Sequence, residues 1–148
     1  MASHWYTNAL ELLLLGDLHM DTDDLRIMIV TSTETFAEAD VDVADVVANE
    51  SGLSGYARQQ TNVTVAQDDS IDGAWVKIQN TLDADITFTA MPAGEIWGAA
   101  ILYHHVSGTD ADCPLIAFLD IADTTTNGSD ITLDFATSSP GNLKLVRA

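Results

Sequence analysis

At 148 residues, 47% of them hydrophobic, the chain has an ordinary single-domain length and enough apolar material for a core, which excludes wholesale disorder. Five Lys+Arg stand against 23 Asp+Glu, a net charge of −18, and Arg26, Arg58, Lys77, Lys144 and Arg147 are scattered along the sequence. Nucleic acid and anionic membrane surfaces are thereby excluded as partners, since phosphate recognition needs clustered Lys and Arg.

The N-terminal MASHWYTNALELLLLGDL has an apolar run but no basic flank and no small-residue cleavage site, so no signal peptide is expected. No apolar run approaches the roughly 20 residues of a bilayer span. Trp5, Ala9, Leu12 and Leu13 fall at i, i+4, i+7 and i+8, with Tyr6, Leu10 and Leu14 beside them and Gly16 as a stop. This spacing predicts a helix of about three turns within residues 1–16, apolar around most of its circumference. Such a helix must be covered by its own domain or by a neighbouring subunit. After a polar turn over His19–Asp24, the β-branched run Leu25–Ser32 predicts a strand buried on both faces. Residues 33–54 read as an irregular arm with room for a short helix, capped by Asp42 or Asp45 and ended at Gly52.

Beyond residue 60 the punctuation is that of an all-β domain. Candidate strands are Asn62–Ala66, Ala74–Gln79, Asp85–Ala90, Glu95–His105, Leu115–Ile121, Asp130–Phe135 and Asn142–Val146, separated by turn-forming Asp, Gly, Pro, Asn and Ser. ITFTA, VKIQ, ITLDF and LKLV alternate, whereas IWGAAILY and LIAFLDI are continuously apolar and belong at sheet centres. The expected architecture is one all-β domain over residues 1–148, a β-sandwich or jelly-roll-like fold of about eight strands with a short N-terminal helix.

Residues able to carry chemistry are few. Cys113 is the single cysteine and precedes Pro114 beside Asp110 and Asp112; nearby carboxylates disfavour a thiolate, so an inert loop thiol is expected. His104 and His105 are adjacent on a strand, point to opposite faces, and cannot jointly hold one metal. The acidic turns Asp21–Asp24 and Asp68–Gly73 lack EF-hand spacing; solvated loops are expected, with structural calcium as the lesser alternative. No catalytic, cofactor-binding or metal residue is assigned. Three N-x-S/T sequons occur at Asn49, Asn62 and Asn127, with Asn127 the most open to glycosylation if the chain meets that machinery. The aromatics Trp5, Tyr6, Trp75, Phe88, Trp97, Tyr103, Phe118 and Phe135 are expected to pack in the core.

The ordered segments W-Y-T-N-A-L-E-L-L-L-L-G, D-T-D-D-L-R-I-M-I-V-T-S, E-S-G-L-S-G-Y at Glu50–Tyr56, strands centred on Trp75 and ending in Tyr103, and P-L-I-A-F-L-D-I from Pro114 span most of the chain. Together they resemble a family of small virion structural proteins of tailed viruses. The resemblance implies a non-catalytic β-sandwich in a capsid or tail, typically oligomeric. A capsid decoration or cement subunit on the shell surface is the expectation. It would be a homotrimer held to the major capsid protein and other virion proteins through Trp5, Tyr6, Leu10, Leu13, Leu14 and the 33–54 arm. A tail, baseplate or fibre-associated module is the first alternative, and a secreted carbohydrate-binding β-sandwich the second.

The extreme acidity adds a halophilic host. A charge of −18 opposes compaction in dilute buffer, while at molar salt the Debye length falls to about 3 Å and the repulsion is screened. Circular dichroism is therefore expected to show unfolding in dilute buffer and refolding above about 1 M KCl. Full stability in about 50 mM salt would remove the halophilic reading.

Overall fold

The structure, a computed structural model, describes residues 3–61, 64–68, 75–79, 86–133 and 142–144, with side chains described in 3–61 and 86–133. In chain order the elements are β1 (His4–Trp5), α1 (Thr7–Leu15), β2 (Leu25–Thr31) and α2 (Val43–Val46), the last continuing as a 3-10 turn over Val47–Asn49. Then follow β3 (Gln59–Thr61), β4 (Thr64–Asp68), β5 (Trp75–Gln79), β6 (Ile86–Phe88) and β7 (Ile96–His104). A 3-10 turn at Asp110–Asp112 precedes β8 (Leu115–Thr125), β9 (Ile131–Leu133) and β10 (Asn142–Lys144). The described residues are mostly β, as the turn punctuation implies. All described pairings are antiparallel, in a five-stranded sheet ordered β1-β8-β7-β2-β3, a three-stranded sheet β10-β5-β4 and a two-stranded pair β6-β9.

The five-stranded sheet is buried on both sides, which is why β2, β7 and β8 read as continuous apolar runs. Alternation divides their side chains between two cores. Leu25, Ile27, Ile29, Trp97, Ala100, Leu102, Ile116, Ala117 and Leu119 fill one. Met28, Val30, Ala99, Ile101, Tyr103, Leu115 and Phe118 fill the other. The first core is closed by Ala9, Leu12 and Leu13 of α1, by Leu18 and Met20, by Ile86, Phe88 and Leu133 of the β6–β9 pair, and by Met91, Leu53 and Tyr56. The second is closed by Phe36, Val43, Val46, Val47, Cys113 and Tyr6.

Residues 33–54, expected to reach towards a neighbouring subunit, pack on their own sheet. Val43 N–H donates to the Cys113 carbonyl at 3.0 Å, Ser51 N–H to the Ile29 carbonyl at 2.9 Å, and bridges join Val30 to Glu50 and Asp42 to Pro114. The short helix is present, and both candidate caps serve it. Asp42 accepts from Ala44 N–H, while the Asp45 carboxylate reaches back to the N–H groups of Val41 and Asp42. Its 3-10 extension stops at Asn49, with Glu50 already extended, rather than running to Gly52.

The N-terminal helix is also later than its periodicity implies. His4 and Trp5 are strand residues opposite Phe118 and Ala117 on β8, and Tyr6 is extended at φ −77°, ψ 139°. Ser3, the candidate cap for an earlier helix, instead accepts from Asp120 N–H at 3.3 Å, and the sheet edge offers hydrogen bonds that a helical Trp5 would forgo. The two-residue period then sends His4 and Tyr6 to one side and Trp5 to the other. His4 stacks on Phe36 at 4.6 Å, Tyr6 fills the second core, and Trp5 packs on the first. Gly16, in the left-handed conformation at φ 78°, ends α1 as expected, and Asp17 N–H returns to the Leu12 carbonyl at 2.9 Å.

The remaining expected strands agree in place and differ at their ends. Leu25–Ser32 stops at Thr31, Glu95–His105 runs from Ile96 to His104, and Leu115–Ile121 continues to Thr125. The expected Asn62–Ala66 overlaps Thr64–Asp68, with Asn62 itself outside the described residues, and Gln59–Thr61 is a further strand that was not expected. Phe135 and Val146 also lie outside them.

Gly98 is a packing requirement. It sits at a register shift where Trp97 faces Thr31 and Thr124, and a Cβ there would lie 2.5 Å from the Ser32 Cα. Backbone cannot yield as a flexible side chain can, so Gly98→Ala is expected to cost about 1–3 kcal/mol in urea unfolding at high salt. Gly108→Ala, with nothing within 4 Å of the added Cβ, is the control and should remain near wild type.

Candidate functional site

The residues expected to make subunit contacts do not form one surface. Tyr6 is fully buried within its own chain. Burial, with the nearby charges of Asp40 and Glu34, pushes its phenol well above the usual tyrosine range. Trp5, Leu12 and Leu13 are half-buried against the first core, and Leu10 is half-buried. Leu14 and Leu15 are the exposed ones, at 89% and 66%. Leu15 escapes the helical reading because it lies outside the i, i+4, i+7, i+8 set, yet that position is what leaves it in solvent. The apolar tip is held rigidly from behind, by Ala9, Leu12 and Leu13 in the core and by the turn at Gly16.

The groups with chemical potential are engaged internally. His104 lies 3.7 Å from Asp23, while His105 Nδ1 is 3.9 Å from Cys113 Sγ, so the adjacent histidines take different partners. The thiol of buried Cys113 donates to the Ser107 and Thr109 carbonyls at 3.4 and 3.5 Å. Of the acidic turn at Asp21–Asp24, Asp23 accepts from His19 N–H and Asp24 pairs with Arg26, whose hydrogen bond holds that carboxyl below its usual range. Among the described residues no group of three His, Cys, Asp or Glu is arranged to hold a metal; most of Asp68–Gly73 lies outside them. Asn49 is tied by its amide to Glu34 at 2.6 Å, whereas Asn127 is exposed in its turn. A cleft of about 200 Å³ is lined by Ser32, Glu34, Thr35, Gly98, Phe118, Asp120 and Asp123, below the about 300 Å³ at which small-molecule pockets begin.

Sequence reading missed two polar clasps, both built on E-S-G-L-S-G-Y. In one, Glu95 accepts from Ser51 Oγ at 2.7 Å, Gly52 N–H at 3.0 Å and Trp97 Nε1 at 3.1 Å, which supplies the buried indole with a partner. In the other, Arg58 reaches Glu50 through Nε at 2.8 Å and Nη2 at 2.6 Å, and Asp110 through Nη1 at 2.6 Å, with its guanidinium 5.6 Å above the Tyr103 ring. Tyr56 completes it, donating to Glu50 at 3.0 Å while accepting from Ile29 N–H at 2.8 Å. The available signal was a rare arginine eight residues beyond Glu50 in a chain so poor in cations.

Against this geometry, comparison with protein-family models, with curated proteins and with solved structures gives no match. Among the described residues no helix is long and apolar enough to cross a membrane.

The Arg58 clasp has a definite pH signature. Hydrogen bonding from Arg58 holds the Asp110 carboxyl below its ordinary range. A carboxyl depressed in the folded state contributes stability above its unfolded value, about 3.9, and loses it as pH falls through the folded value. Arg58→Met leaves half-buried Glu50 without its cation and is expected to cost about 3 kcal/mol at pH 7. In urea titrations at constant high salt, the gap to wild type should narrow as pH falls below about 4. An equal gap at pH 7 and pH 3 would assign the loss to packing instead.

Proposed function

We propose that this protein is a non-catalytic virion structural subunit: a capsid decoration, or cement, protein on the shell of a tailed virus of a halophilic host. In this reading the fold is a small sandwich in which the β6–β9 pair is the reduced second layer over one face of the five-stranded sheet. The observation that carries the reading is the exposed Leu14–Leu15 tip in a chain of net charge −18. A surface so rich in carboxylates has no solubility reason to present two leucines together on a rigid helix end, and a partner gives one. The ordered segments resembling tailed-virus structural proteins supply the class of partner.

The mechanism is burial. Each leucine taken from solvent into a partner's groove contributes about 1.5–3 kcal/mol, part of which offsets the lost freedom of association. Repetition of that small surplus around a shell resists internal pressure without requiring tight binding at any one site. Partners are the major capsid protein and other copies of this subunit, as a trimer.

Quantitative mass spectrometry of virions purified in high salt tests the reading. Hundreds of copies per particle are expected; a few to a few tens would favour the tail, baseplate or fibre alternative, and absence would remove the virion reading. The structure also changes which variant is informative. Truncating residues 1–16 would remove Tyr6 and Ala9 from the cores, whereas Leu14→Asp with Leu15→Asp alters only the exposed tip. That double variant is expected to fold normally by circular dichroism and to lose occupancy at least tenfold, since forfeiting about 3 kcal/mol of burial changes an equilibrium constant by more than that. Normal occupancy would exclude the tip as the attachment point.

A further inference from the structure

The β8–β9 connection carries a reactive pair that the fold holds in check. Asn127–Gly128 is the only Asn-Gly step in the sequence, and both residues are exposed in the turn between the two strands. Asparagine followed by glycine is prone to closing on itself, because no side chain shields the glycine nitrogen and glycine reaches backbone angles closed to other residues. Gly128 stands at φ 91°, with nothing within 4 Å of a Cβ built on it. The carboxamide beside it is already oriented, since Asn127 Oδ1 accepts from Ser129 N–H at 3.0 Å. A donor on that oxygen stabilises the negative charge that develops there when the carbonyl carbon is attacked. Opposing the attack is the partner of the nucleophile itself. Gly128 N–H donates to the Met91 carbonyl at 2.7 Å, and its nitrogen can attack only after losing that hydrogen. The bond belongs to a clasp that ties this connection to residues 90–95. Met91 N–H donates to the Ser129 carbonyl at 3.1 Å, Thr126 N–H to the Glu95 carbonyl at 3.0 Å, and Ala90 N–H to the Asp130 carboxylate at 2.7 Å.

We infer that Asn127–Gly128 is a self-modification site, converted to a succinimide and then to isoaspartate or aspartate when the clasp on residues 90–95 opens. In the first step a bond forms between the Gly128 nitrogen and Asn127 Cγ. The bond from Cγ to Nδ2 breaks, and ammonia leaves with the hydrogen that Gly128 gave up. Water then opens the ring at either carbonyl. Aspartate keeps an oxygen for Ser129 N–H and leaves the main-chain spacing intact. Isoaspartate routes the main chain through Cβ and Cγ, adding one methylene between residues 127 and 128, so that Gly128 N–H and the Ser129 carbonyl no longer meet Met91 in register. The β6–β9 pair, whose Ile86, Phe88 and Leu133 close the first core, is held to the sheet through these two connections and loosens with them. Loss of the Gly128 amide proton is also the chemical step of hydrogen exchange, so the fold slows both processes by one factor, set by the population of the open state. This chemistry is independent of where the protein works.

Peptide mass spectrometry of the full chain, aged at one mildly alkaline pH in about 2 M KCl with and without urea, tests it. Conversion at Asn127 is expected to be at least roughly tenfold slower in the folded chain than in the unfolded one, matching the protection of the Gly128 amide against exchange. Asp130→Ala, which leaves Ala90 N–H without its acceptor, is expected to raise the folded rate several-fold, whereas Asp130→Asn keeps an acceptor oxygen and should age as wild type does. If Asp130→Ala fails to fold, wild type in urea below its unfolding transition is read instead, and conversion should rise in step with Gly128 exchange. Equal rates in the folded and unfolded chain, an unfolded chain that leaves Asn127 intact, a folded Asp130→Ala that ages no faster than wild type, or conversion that does not follow exchange overturns the inference.

Discussion

Burial of β2, β7 and β8 on both faces is the constraint from which the rest of this fold follows. A sheet with a single apolar side needs one cover; this one needs two, and the described chain supplies both from segments that flank the central strands. Helix α1 and the β6–β9 pair close one side, while Phe36, Val43, Val46, Val47 and Tyr6 close the other. That requirement explains why β1 exists at all. Its two residues, His4 and Trp5, pair with β8, and the extended backbone through Tyr6 sends Trp5 and Tyr6 to opposite cores before α1 begins.

Two covers must also be fastened to the layer between them, and the fastening is polar. Glu50 and Ser51 lie where the second cover ends, and each reaches a different part of the molecule: Glu50 meets Asp110 of the β7–β8 connection through Arg58, and Ser51 meets Trp97 through Glu95. Using a guanidinium for the first fastening suits an acidic chain. A single planar cation hydrogen-bonds two carboxylates at once, in a geometry an ammonium cannot match. The residual acidity then lies largely on surfaces where hydrated cations can compensate it, which links the local chemistry to the salt dependence of the whole.

The positions of most strands were legible in the sequence because continuous apolar runs and turn residues mark them directly. Their ends were less so, since Thr125 and Gln59 belong to strands through pairing partners that no local pattern reveals. Asp42 and Asp45 were recognisable as caps because the capping box is local chemistry. The packing of residues 33–54 was not: alternating Val and Asp looks equally suited to a partner or to the chain's own sheet, and the burial of Val43 and Val46 is what shows the intrachain contact. The contact residues divided for the same reason. Leu12, Leu13 and Leu14 are indistinguishable in composition, and their different exposures depend on how α1 is rotated over β8. Arg58 was invisible because its two carboxylate partners are eight and 52 residues away.

The seat of Cys113 gives the molecule an internal reporter. Its sulfur is enclosed by the 107–112 turn, whose carbonyls it engages, and that turn is anchored through Asp110 to Arg58. A thiol-reactive dye therefore reaches the sulfur only during excursions that lift the turn. The labelling rate multiplies the intrinsic thiol reactivity by the population of that open state. A single native side chain thus converts the breathing of one face of the sheet into a chemical rate, with no engineered probe in the core.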